Sequence, residues 1–347
     1  MNSGQRDTAT SSVRGMLLKT LLPVAIGIGV VIWLFGREFT TDTFRSIPFT
    51  AGTAGALALA LLFVAGREWG MMWRWRVLSD RHLTWRASFR VTMMCEFTSA
   101  ITPTTAGGSA LSMIFLSREG ITLGRGASLT MVTLMLDELF VVVACPLTFL
   151  LLPADKIFGF ADNGFGEGVR LAFWIVYGGI CAVTVLLYAG AFVFPHRIAS
   201  IISRIFRCKP LRRWKEKADE TGRSMIEAGA DLRTRPLGWW LRAMGATTMT
   251  WVSRYLVVNA LFLGFAPEAP QSIVFARQFV VWTLLTISPT PGGSGISEWL
   301  FTNYYGDLIG SMPMALVIAV IWRVVSYYIY LLAGIAVLPS WLRRHKR

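Results

Sequence analysis

The sequence predicts an all-α integral membrane protein built as an inverted-topology repeat, with about six full transmembrane helices and two re-entrant helical hairpins. Three observations predict it. The 347 residues are 54% hydrophobic, with 14 Trp and 22 Phe, and only 16% charged, against roughly 25% in soluble domains. Two Pro/Gly stretches, residues 102–109 and 288–295, repeat each other inside apolar surroundings. The charge is sided: basic and acidic loops alternate along the chain as the positive-inside rule requires.

Continuous spans are predicted at 16–35, 49–66, 127–152, 170–194, 239–264 and 312–338, each near the ~20 apolar residues that cross a bilayer. The first span has no small-residue cleavage pattern after it and reads as an uncleaved helix. Residues 67–90 carry six arginines and read as an inner loop after the second span. The segment 153–169 has Lys156 against Asp155, Asp162 and Glu167, and reads as outer. Residues 195–237 have eleven Lys and Arg against five acids, and the chain ends in a further basic run. With both termini cytoplasmic, these loops fit only if 91–117 enters and returns on the inner side and 273–309 does so on the outer side. The chain then divides as one membrane domain over 1–347. A first repeat covers 16–152 with hairpin 91–117, and a second covers 170–338 with hairpin 273–309. The basic linker 195–237 has Ile198, Ile201, Ile202, Ile205 and Phe206 at helical spacing and reads as an amphipathic surface helix.

The hairpin breaks are placed at Pro103, Gly107 and Gly108, and at Pro289, Pro291, Gly292 and Gly293. Irregular backbone at membrane depth is tolerated where protein buries it or water reaches it. A matched pair of broken segments, one per half, points to a transporter's binding site. Ionised groups at mid-helix cost about 2.5–3.5 kcal/mol on insertion scales, so they face a cavity or a partner. Asp137, Glu138 and Arg323 are such groups, and Asp137 and Arg323 follow their glycine pairs by nearly equal intervals. They are read either as an ion pair joining the halves or as groups meeting a charged substrate. Glu298 follows the second break and lines the same pocket, with Glu96 before the first. Arg254 and Arg277 are further candidates for the site, Arg254 for a phosphate, and either could instead snorkel to an interface, Arg277 more readily. Ser109 and Ser294 offer hydroxyl donors where half-helices begin.

The pattern Pro289-x-Pro291-Gly292-Gly293-x-Gly295-x-x-Glu298, with the element from Pro103 to Ser109 and the late Arg323, resembles the lysylphosphatidylglycerol synthase transmembrane (flippase) region family. The resemblance covers residues 16–340, and Ala106 and Ala110 depart from it in the first motif. It implies the flippase-like half alone, without an aminoacyl-transfer domain, in a bacterial cytoplasmic membrane. The function expected is movement of a polar lipid between leaflets, with a phospholipid substrate such as aminoacylated phosphatidylglycerol. An ion-coupled carrier of a small charged solute fits the repeat equally well. Anionic lipids are expected at the basic loops, and a homo-oligomer is open.

Other classes fit less well. The net charge of +14 is accounted for by topology, so no nucleic-acid partner is expected. No cofactor or metal is expected: there is no phosphate-loop motif, and Cys95, Cys145, Cys181 and Cys208 lack metal-ligand spacing. The string Gly292-Gly293-Ser294-Gly295 matches the serine element of rhomboid-like proteases. A base is then needed, and His82, His196 and His345 all fall in predicted cytoplasmic segments. An enzyme is therefore not expected.

Overall fold

The computed structural model describes residues 50–102, 106–159, 164–194, 197, 200–201, 203–204, 215–290 and 292–334. The predicted first span and the basic terminal run lie outside the described residues, as do Pro103 and Pro291. Helix α1 is Ala51–Leu78, α2 Trp85–Ile101, α3 Ala106–Arg118, α4 Leu123–Leu151, and α5 a single short turn at Ala154–Phe158. They are followed by α6 at Gly164–Tyr188, α7 at Lys215–Arg233, α8 at Leu237–Phe265, α9 at Gln271–Leu285, α10 at Ile296–Ile309 and α11 from Met312. Helix α11 runs on through a π-helical turn at Val324–Tyr328 to Gly334. There is no strand among the described residues.

Four of these helices, α1, α4, α6 and α11, are long and apolar enough to cross a membrane. A pattern of long, short, short, long recurs. Helices α1 to α4 have 28, 17, 13 and 29 residues. Helices α8, α9 and α10 have 29, 15 and 14, and the span in α11 has 23. Within the linker, α7 is helical, whereas the apolar spacing from Ile198 to Phe206 that marked an amphipathic helix falls mostly outside the described residues.

Helix α1 departs from the sequence reading. The arginine-rich segment is not a loop from residue 67: the helix continues to Leu78, and only Ser79–Thr84 turns. Nothing between Arg67 and Leu78 breaks a helix, and Gly70 stands where a larger side chain would not fit. A Cβ there would lie 2.6 Å from Thr250 Oγ on α8. Small residues let two helices approach closely, and α1 packs along α8 in this way. Gly66 meets Ser253, Gly70 meets Ala246 and Thr250, and Gly264 meets Ala56. Trp239 Nε1 donates to the Val77 carbonyl at 3.2 Å. One number rises as the other falls, so the two helices are antiparallel.

The buried apolar residues form two clusters. One holds Ala60 of α1, Phe140 and Cys145 of α4, Phe173 of α6, Val258 and Phe262 of α8, and the buried faces of α9 and α10. The other holds Trp75 and Leu78 of α1, Leu129 and Met135 of α4, Trp239 and Ala243 of α8, and the buried faces of α2 and α3. The α2–α3 pair therefore belongs to one cluster and the α9–α10 pair to the other. The long helices pass between clusters, and each changes cluster near a buried or half-buried charge: Arg67 and Arg74, Asp137, Arg254 and Arg323.

Candidate functional site

The two breaks meet at this seam. Helix α2 ends at Ile101, and Thr102 is extended (φ −104°, ψ 146°). Its carbonyl accepts from Gly292 N of the other break at 3.4 Å, and the Ala100 carbonyl accepts from Tyr327 Oη at 3.1 Å. In the second break Gly292, Gly293 and Gly295 all have positive φ (57°, 70° and 85°). An L side chain at Gly292 would be strained and would also strike the Tyr327 ring. This is why the break is written in glycine.

The first break differs from the sequence reading. Gly107 and Gly108 are not the break but lie in the first turns of α3, which begins at Ala106. Glycine costs about 1 kcal/mol in a helix, a cost that a pair flanked by Ala106 and Ala110 tolerates. Three left-handed glycines do not permit a helix. The Ser109 side chain lies outside the described residues.

Two adjoining cavities occupy the seam, of about 250 and 130 Å³, and both are walled by Glu96, Ser99, Arg254 and Trp282. The larger also reaches Arg74, Asp137, Glu138 and Trp251. The smaller reaches Arg67, Gly292, Gly293, Arg323 and Tyr330.

The ion pairs differ from the expectation that Asp137 or Glu138 meets Arg323. Asp137 Oδ1 accepts from Arg74 Nη1 at 2.5 Å and from Trp251 Nε1 at 2.7 Å. Arg323 Nε donates instead to Glu298 Oε1 at 2.9 Å, and its Nη2 to Ser294 Oγ at 3.3 Å. Its guanidinium lies 3.9 Å from the Tyr327 ring centroid. The other Glu298 oxygen accepts from Gly295 N and Ser297 Oγ, both at 2.8 Å. Glu298 is wholly buried. The reason for the different pairing is local: Glu298 sits one turn into α10, beside the break that Arg323 covers, and Arg74 of the extended α1 reaches Asp137 first. Glu298, Ser294 and Arg323 thus clamp the second break to α11.

Counting six residues from the first glycine of each pair reaches Glu298 in the second half and Met113 in the first. Counting thirty-one reaches Arg323 and Glu138. The first half therefore lacks the clamp, and Glu138 faces the larger cavity without an ion-pair or hydrogen-bond partner among the described residues.

Arginines converge on Glu96 from two sides. Arg67 Nη2 pairs with Glu96 Oε2, and Arg67 also meets Glu68 at 3.4 Å and the Tyr330 ring at 4.8 Å. Tyr330 Oη donates to Glu68 Oε1 at 2.7 Å. Arg254 Nη2 reaches Glu96 Oε1 at only 3.8 Å, outside hydrogen-bond range. Its guanidinium is held between Trp251 (4.9 Å) and Trp282 (4.6 Å). It makes no hydrogen bond to a described residue, and its buried Nε is unpaired. A planar cation gripped by aromatic faces with its N–H groups unused is well suited to bind phosphate or carboxylate.

Arg277 does not snorkel. It is 1% exposed and pairs with Asp307 at 2.5 and 2.7 Å, and it also donates to the Tyr304 and Lys156 carbonyls. It ties α5, α9 and α10 together, away from the cavities.

The sequence reading missed Arg67, Glu68 and Arg74, which it assigned to a loop, and the tryptophans around Arg254. Arg67, Gly70 and Arg74 have the spacing of one helix face, and that was the available signal.

The model of one protein family, described as the lysylphosphatidylglycerol synthase TM region, matches residues 20–334. A UPF0104 membrane protein of Archaeoglobus fulgidus is 24% identical over 326 residues, covering 90% of this chain and 94% of that protein. No solved structure matches the chain. With the match spanning nearly all of the four-helix pattern in both halves, the chain is an integral multi-pass membrane protein and belongs to the lysylphosphatidylglycerol synthase TM region family.

Proposed function

We propose that the protein moves a polar, phosphate-bearing lipid between the two bilayer leaflets, its headgroup passing through the charged seam while the acyl chains stay in lipid. The observation that carries this reading is Arg254. It is a guanidinium fixed between two tryptophans on the wall shared by both cavities, with hydrogen-bonding capacity unused. It would take the phosphate, and Glu138 would take a cationic amine on the headgroup, as an aminoacylated phosphatidylglycerol carries.

The architecture supports an inverted repeat with re-entrant hairpins. At 1.5 Å per residue, α2, α3, α9 and α10 are about 20–26 Å long, short of the ~30 Å hydrocarbon core. The two short pairs pack in opposite clusters, and α1 opposes its counterpart α8. Each hairpin would dip from its own face and turn back at the seam, with both termini on the cytoplasmic side of the cell membrane. Arg323, Glu298 and Ser294 would hold the second hairpin in place, and Asp137 with Arg74 would line the path. The family match supports a membrane role connected to lipid.

The test is transport in proteoliposomes with fluorescent phosphatidylglycerol or aminoacylated lipid, the outer label being quenched by an impermeant reductant. The intact protein makes the inner label accessible, and Arg254→Gln slows this at least about tenfold, the effect of one lost charge-assisted hydrogen bond. If no anionic or zwitterionic phospholipid moves while a small charged solute is taken up, the protein is a solute carrier and the lipid reading is wrong.

A further inference from the structure

A third cavity, of about 360 Å³, lies away from the seam, lined by Trp73, Arg76, Val77, Asp80, Arg81, Trp85, Trp239 and Arg242. It is built where the last turns of α1, the α1–α2 turn and the first turns of α8 come together. Helix α1 has 28 residues, about 42 Å, so its end extends past the ~30 Å hydrocarbon core into the headgroup zone. Three tryptophans in a cleft at that depth match the aromatic belt of a membrane–water interface.

The charge is in excess. Asp80 is the one acid among the lining residues, and it is already engaged by Arg235 at 2.6 and 2.9 Å and by Arg125 at 3.1 Å. The three lining arginines are lightly used. Arg76 donates through one Nη to the Leu83 carbonyl at 2.8 Å and lies 4.6 Å from the Trp85 ring. Arg242 donates through Nε to the Gly238 carbonyl at 3.0 Å. Arg81 is held at φ 63° with its backbone N donating to the Arg76 carbonyl at 2.7 Å, and its side chain makes no hydrogen bond or ion pair to a described residue. Helix α8 adds an N-terminus without a side-chain cap beside the cleft.

We propose that this cleft is a binding site for the phosphate of an anionic membrane lipid, separate from the seam. The guanidinium groups of Arg76, Arg81 and Arg242 hold the phosphate, and Trp73 and Trp85 cover the glycerol end. The bound lipid bridges α1 and α8.

The experiment is native mass spectrometry of the delipidated full chain in detergent. It is incubated with dioleoyl-phosphatidylglycerol, with dioleoyl-phosphatidylcholine, or with inorganic phosphate alone. The intact protein retains phosphatidylglycerol in preference to phosphatidylcholine. Arg81→Gln with Arg242→Gln, both exposed, weakens the tightest phosphatidylglycerol site at least about tenfold. A control that removes as much charge elsewhere, Arg170→Gln with Arg223→Gln, leaves that site unchanged, as does Arg254→Gln. Equal retention by the cleft variant and the control overturns the proposal. So does loss in Arg254→Gln but not in the cleft variant, which assigns the tight lipid to the seam and leaves the transport reading standing. Displacement of the lipid by inorganic phosphate at equal concentration would assign the cleft to soluble anions and overturn the lipid site.

Discussion

Replacing Glu298 tests how the second break is held. Its carboxylate accepts from Gly295 N and Ser297 Oγ at 2.8 Å and from Arg323 Nε at 2.9 Å, with none of the side chain exposed. Glu298→Ala removes all three contacts and leaves Arg323, itself 5% exposed, with Ser294 Oγ at 3.3 Å as its remaining hydrogen-bond partner. Breaking one side of a buried pair costs about 3–5 kcal/mol because a charge is stranded. Replacing both sides with apolar residues of similar volume costs far less. Glu298→Leu with Arg323→Met should therefore be more stable than either single variant, with a coupling energy of at least about 2 kcal/mol. The assay is reversible unfolding in mixed micelles titrated with a denaturing detergent, run on all four members of the cycle. Additive losses would refute the clamp, since they would mean that the two residues act independently.

Four further outcomes follow from named contacts. Gly292→Ala should lose about 1–3 kcal/mol and most transport, because φ is 57° and the new methyl meets Tyr327; unfolding and lipid-movement assays read both. Gly70→Val should separate α1 from α8, since even a Cβ would lie 2.6 Å from Thr250 Oγ, at a cost of about 1–3 kcal/mol in unfolding. Asp137→Asn should cost more than Asp80→Asn although both meet arginine: Asp137 faces Arg74, only 3% exposed, while Asp80 is 46% exposed. The first is expected at about 1.5–3 kcal/mol and the second within about 1 kcal/mol by the same unfolding titration.

Much of the helix order was legible because it rests on apolar run length and on Pro and Gly, which act locally. Helices α4, α8 and α11 fall close to the predicted spans, though α8 is not among the four described helices apolar enough to cross a membrane. Helix α1 was cut short because arginine was taken as a sign of water. Arg67 and Arg74 are instead buried against Glu96 and Asp137, and such pairing across helices leaves little trace in a hydropathy pattern. Some of the charges at the seam were marked by their cost in lipid: Asp137, Glu138, Arg254, Glu298 and Arg323 line the cavities or hold the break beside them, while Arg67 and Arg74, which also line the cavities, were not. Their pairing was not legible. Equal spacing after two similar motifs marks matching positions, not partners, and Arg323 takes the carboxylate one turn into α10 rather than the acid at the matching place in α4. The same limit applies to glycine: the first pair resembles the second in sequence, yet the third glycine, Gly295, separates a left-handed break from a helical turn.

Cysteine accessibility in sealed inverted and right-side-out vesicles tests the hairpins from opposite faces most directly. Arg81→Cys and Ser117→Cys bracket α2 and α3, and Glu268→Cys and Met312→Cys bracket α9 and α10. The account predicts that an impermeant thiol reagent labels the first two from one face of the membrane and the second two from the other. Labelling of Arg81→Cys and Ser117→Cys from opposite faces, or of Glu268→Cys and Met312→Cys from opposite faces, would mean that the short helices cross the bilayer, and would contradict it.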